Sequence, residues 1–168
     1  MSLLLINLDT TTRRFMLAEF ESDIKSGSLY MSNRLTPTGK TIYPVLLREA
    51  IEKHDDLWLA AALAPYIADH EMRSGKLIKM SKTAATMLAE SEFNRFYMRG
   101  VCYRASSEGI QNVVAYRAKE VAKPRAFSQA KRGQRVESEK LLAELRHKIV
   151  PTTGIPAGPN SGISVRLP

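Results

Sequence analysis

The side chains that most often do chemistry are scattered along this 168-residue chain. The histidines are His54, His70 and His147, each in a different segment, and none sits in an HxxxH or HExxH spacing. A metal site read from sequence needs such ligands grouped on one helix face or turn, so these read as surface or structural histidines. Cys102 is the only cysteine, which excludes an intrachain disulfide and any multi-cysteine zinc site. It fits a reducing compartment and the role of a small core residue. No serine lies in a G-x-S-x-G elbow, and the phosphate-cradling loops G-x-x-x-x-G-K-[ST] and G-x-G-x-x-G are missing.

Carboxylates come in close pairs: Glu19 with Glu21, Asp55 with Asp56, Glu90 with Glu92, and Glu137 with Glu139. General acid–base work needs a carboxylate in a cleft with a displaced pKa. These pairs fall near helix starts or on helix surfaces and read as solvated charge. Glu120 followed by Gln129, Ala130 and Lys131 mimics a metal-dependent nuclease only loosely. The expectation is therefore no enzyme, with catalytic residues, metal and cofactor all none.

Cations are a different matter. The chain holds 25 Lys and Arg against 17 Asp and Glu, a net charge of +8, and the excess is uneven. Residues 1–70 carry seven Lys/Arg against nine Asp/Glu; residues 71–168 carry eighteen against eight. The peak is the stretch 117–135, where Arg117, Lys119, Lys123, Arg125, Lys131, Arg132 and Arg135 face only Glu120. Such a loop suits phosphates without base specificity, or an acidic surface on a neighbouring copy. Only Tyr116 and Phe127 interleave it, a thin platform for stacking single-stranded bases. Assembly contact is the favoured use and nonspecific DNA contact the second. A helix-turn-helix over 44–53 and 57–63 is disfavoured, because LWLAAALA lacks the polar face a recognition helix needs.

The elements that position these residues are mostly helical. Asp9 with the threonines after it caps a helix over about 12–26, with Phe15, Met16, Phe20 and Ile24 inward and Gly27 ending it. Residues 28–44 read as loop. Tyr43-Pro44 opens a helix through Lys53 with Val45, Leu46, Ala50 and Ile51 inward. Asp55-Asp56 caps the apolar segment that Pro65 must break. Residues 71–80 read as a basic connector or short β-ribbon. The strongest helix covers 82–107 behind Ser81, with Glu92, Arg95 and Arg99 along one edge of its apolar face. A strand over 110–118, the basic loop and a last helix over 137–148 follow. The longest apolar run, Leu57 to Ala68, is too short to span a bilayer, and the start lacks the features of a signal peptide. The fold expected is mainly α: a helical domain with a minor β element and extended N- and C-terminal arms.

The domain plan is an N-terminal arm or strand at 1–9, a body at 10–148, and a Pro/Gly-rich docking arm at 149–168. The arm holds Pro151, Gly154, Pro156, Gly158, Pro159, Gly162 and Pro168 with Arg166 as its one charge, too little apolar surface to order itself. It must lie on another chain, the preferred reading, or fold back on its own domain. Its partner-binding residues would be Ile155, Ile163, Val165, Arg166 and Leu167, with Ile163 to Val165 adding a strand to a sheet edge.

Three phrases carry a resemblance: EFNRFYMRGVCYRASSEG (92–109), VVAYRAKEVAKPR (113–125) and RLTPTGKTIYPVLLREA (34–50). Together they resemble small structural proteins of tailed-phage virions, over roughly residues 28–147. The resemblance is one of composition and phrase, and it transfers no functional residue. It implies a subunit of a repeated particle, a head–tail connector or adaptor or a capsid auxiliary protein. Its partners would be copies of itself and other virion proteins (portal, tail or capsid), with no membrane. It would be made in the bacterial host cytoplasm and reside in the virion. The alternative is a sequence-nonspecific DNA-binding or packaging-associated protein.

Overall fold

The structure, a computed structural model, describes residues 2–120, 126–147, 153–155 and 161–168. It is mainly α with a minor β part. α1 (Thr10–Ser26) opens where Asp9 accepts a hydrogen bond from the Thr12 amide, and it closes at Gly27 in the left-handed region. Met16 and Phe20 are buried, whereas Ile24 lies outside and Phe15 meets Tyr103 in a tilted ring contact with centres 5.0 Å apart.

The next helix corrects the sequence reading. α2 (Pro37–Lys53) starts seven residues before Pro44, inside the segment read as loop. Thr36 is its cap, taking the Gly39 amide at 3.0 Å, and Pro37 occupies the first turn, where its missing N–H costs nothing. Pro44 is tolerated in the interior. The buried stripe runs Tyr43, Leu47, Ala50 and Ile51, which leaves Val45 on the opposite side and exposed.

α3 (Asp56–Leu63) is capped by Asp55 and ends in a 3₁₀ turn, Ala64–Tyr66, around Pro65. A β-ribbon follows, β1 (His70–Arg73) and β2 (Lys76–Lys79), paired antiparallel around Ser74-Gly75. Both turn residues have positive φ, 50° and 75°, as the tight hairpin turn demands.

α4 (Ala84–Ser107) is the axis of the molecule, and it packs on α1, α2 and α3. From Glu92 to Cys102 every residue is buried. Gly100 sets its approach to α1: a Cβ there would fall 2.5 Å from Met16 Cγ. β3 (Asn112–Arg117), α5 (Ala126–Gln129), β4 (Arg135–Glu137), α6 (Ser138–His147) and β5 (Ile163–Arg166) complete the chain, and α6 packs on α4. The three-stranded sheet has the order β4-β3-β5, antiparallel throughout. Among the described residues no helix is long and apolar enough to cross a membrane.

Candidate functional site

The docking residues expected to reach a neighbour lie on their own chain, which corrects the picture of a free arm. β5 pairs with β3 in the register Val114↔Arg166, Ala115↔Val165, Tyr116↔Ser164 and Arg117↔Ile163. Ile155, Ile163 and Val165 are completely buried in the core, and Leu167 packs partly against it. The Arg166 guanidinium donates to the Leu167 carbonyl at 2.9 Å. The physical reason is the edge that β3 offers: pairing there satisfies β5's backbone and buries its two β-branched side chains.

The N-terminal segment docks beside it. The Leu4 amide donates to the Ala118 carbonyl at 2.7 Å, and the Tyr116 hydroxyl donates to the Leu4 carbonyl at 2.7 Å. Asp56 takes the Leu3 amide, and Asn7 Oδ1 accepts the Leu167 amide at 2.9 Å. The two chain ends are thus held to each other and to one sheet. Leu4 and Ile6 remain exposed.

The five described cations of 117–135 do not form one surface. The Lys119 ammonium pairs with Glu90 of α4. Arg117, at the end of β3, is half-buried, and its two terminal nitrogens have no hydrogen-bond partner among the described residues. Lys131 is half-buried, Arg132 and Arg135 are exposed, and Lys123 and Arg125 lie outside the described residues.

A charged cluster inside the body escaped the sequence reading. Arg99 is fully buried; its Nη1 and Nη2 donate to the two Asp23 oxygens at 2.7 and 2.8 Å, and its Nε donates to Glu19 at 2.9 Å. Arg146 of α6 also holds Glu19, its Nε donating at 2.9 Å. Arg95 stands 3.8 Å from Asp23 and 3.6 Å from Glu92. Three carboxylates therefore face three guanidiniums, fastening α1, α4 and α6 together. The spacing of Glu92, Arg95 and Arg99 is visible in the sequence, but Glu19 reads with Glu21 as solvated charge and nothing singles out Asp23. The i,i+4 spacing of Glu19 and Asp23, beside the inward Met16 and Phe20, is the signal the sequence offers.

At one edge the cluster is less complete. Burial pushes the Glu92 carboxyl up to about 7, against the opposing effect of Arg95 and Arg99. Burial, with Glu92 near it, also drives the Tyr43 phenol well above its ordinary range. Tyr43 Oη, Glu92 Oε2 and Arg95 Nε have no hydrogen-bond partner among the described residues. Glu92 also borders a cavity of about 160 Å³ beside Tyr30, Ser32 and Arg34. Cys102 is fully buried, and burial raises its thiol pKa, so it is a core residue in an unreactive setting. Among the described residues no group of three or more His, Cys, Asp or Glu side chains is arranged to hold a metal ion.

Two further surface features lie among the described residues. The β1–β2 ribbon presents Met72 and Leu77, each 67% exposed, side by side across its strands. An open cavity of about 630 Å³ lies where α4 gives way to β3 and β4 to α6, lined by Gly109, Ile110, Asn112, Glu137 and Glu139 among others. Compared with protein-family models, with curated proteins and with solved structures, the chain matches none.

Proposed function

We propose that this chain is a non-enzymatic structural subunit that works by assembling with copies of itself and with other proteins of a particle. The particle that fits its resemblance is a tailed-phage virion, and the place within it is the head–tail junction, as a connector or adaptor subunit. One observation carries the reading: a two-stranded ribbon stands out from the body with two large apolar side chains uncovered. A lone hairpin is marginal in water, and an exposed Met–Leu pair on it gains nothing for the monomer. Contact with another chain would cover both and hold the ribbon.

The reading is tested on particles banded by density gradient from lysates of the cells that make the protein. Quantitative mass spectrometry should find the chain in DNA-filled particles at a fixed ratio to the other particle proteins. Its absence from such particles would overturn the assignment.

Sequence-independent DNA contact is the second reading, and its support is thinner. Arg132 and Arg135 are exposed, but Lys119 is held by Glu90 and Arg117 is half-buried.

A further inference from the structure

The two ends of α4 carry opposite chemistry. The ribbon rises beside its first turn, where the Met80 amide is held by the Asp69 carbonyl. On one face of the ribbon Met72 and Leu77 are paired; on the other, Arg73 and Lys76 are paired at the tip. Arg73 also holds Glu71 in an ion pair on that face, Lys79 lies opposite His70 on the Met72–Leu77 face, and Arg73, Lys76, Lys79 and Lys82 are all exposed. At the far end, Gly109 turns the chain with φ 72° into the loop that walls the 630 Å³ cavity. That cavity is lined by two exposed carboxylates, Glu137 and Glu139, and, among the described residues, by no cation. Ile110, packed against the core, supplies its apolar wall.

Each chemistry of the ribbon has a counterpart in the cavity. One molecule cannot bring them together, because a helix of 24 residues separates them by about 36 Å. We propose that the ribbon of one copy docks in the cavity of the next. Met72 and Leu77 cover Ile110, and Arg73 and Lys76 pair with Glu137 and Glu139. The occupant is a second copy of this chain because the match in charge and polarity lies within one sequence. The contact joins two different patches, so it is heterologous: repeated, it closes into a ring or runs on as a filament. It rests on the reading of the chain as a self-assembling subunit and specifies the surface used.

The test is the solution mass of the full chain by light scattering over a range of concentrations, with charge-reversal variants. The natural chain should form a discrete oligomer that weakens as salt rises. Arg73→Glu with Lys76→Glu, or Glu137→Lys with Glu139→Lys, should each weaken self-association by about tenfold or more. All four changes in one chain should restore the oligomer, since the reversed surfaces again complement each other. Met72→Ser with Leu77→Ser tests the apolar half at positions that leave the core untouched, and circular dichroism confirms folding of every variant. An oligomer indifferent to both pairs of reversals would overturn this contact while leaving the structural role standing. So would a combined variant that stays dispersed. A natural chain that is monomeric at every concentration also overturns it, and the particle measurement then decides the broader role separately.

Discussion

Ser164 and Asn94 are locked together inside the protein. The Ser164 hydroxyl donates to Asn94 Oδ1 at 2.7 Å, and Asn94 Nδ2 donates to the neighbouring Ile163 carbonyl at 2.8 Å. Both residues are buried, so the end of the chain is written into the middle of the central helix. Within the segment that reads as an arm in sequence, residues 163–166 form a structural strand.

Removing this lock should loosen β5 before anything else. Asn94→Ala leaves a buried hydroxyl and a buried carbonyl without that partner, at a cost of about 1–3 kcal/mol. Denaturant midpoints should fall accordingly, and amide hydrogen exchange at residues 163–166 should quicken more than along α1. Unchanged exchange at those amides would show that β3 pairing alone secures the strand.

Arg99 should be the most sensitive charged position in the body. Arg99→Met strands Glu19 and Asp23 in a buried site, with Arg146 and Arg95 as incomplete substitutes, so a loss of about 3–5 kcal/mol is expected. Arg99→Lys should recover only part of it, because an ammonium cannot grip Asp23 through two parallel bonds. Equal midpoints for the natural chain and Arg99→Met, measured in urea, would contradict the role given to the cluster.

Glu92 should impose a pH dependence of a definite sign. Its carboxyl stands at about 7 in the folded protein, above its ordinary value of 4.5. The folded state therefore binds the proton more tightly than the unfolded chain. The stabilisation linked to it is fully present below the ordinary carboxyl range and is lost as pH rises toward and through about 7. Arg95, Arg99, Asp23 and Tyr43 are the charged or titratable groups around it. In denaturant melts, the natural chain should lose more stability between pH 5 and pH 8 than Glu92→Gln does. Parallel curves for the two would assign the titration elsewhere.

Local signals determined much of the architecture from sequence alone. Asp9 and Gly27 bracket α1, Asp55 starts α3, Pro65 ends it, and the β-rich run after Gly109 forms β3, because caps and turn residues act within one turn of the chain. Even α2 had its start written in Thr36 and Pro37, a signature obscured by the Pro and Gly around it. What tertiary structure decided depends on partners far away in sequence. Ile163 to Val165 read as a strand for some sheet edge, but which edge it takes is decided only in three dimensions, where β3 of the same chain has an open edge beside Asn94. Glu19 and Asp23 look like solvated charge until α1 crosses α4 at Gly100 and brings them onto Arg99. Burial is a property of the packed assembly of helices, and no single segment carries it.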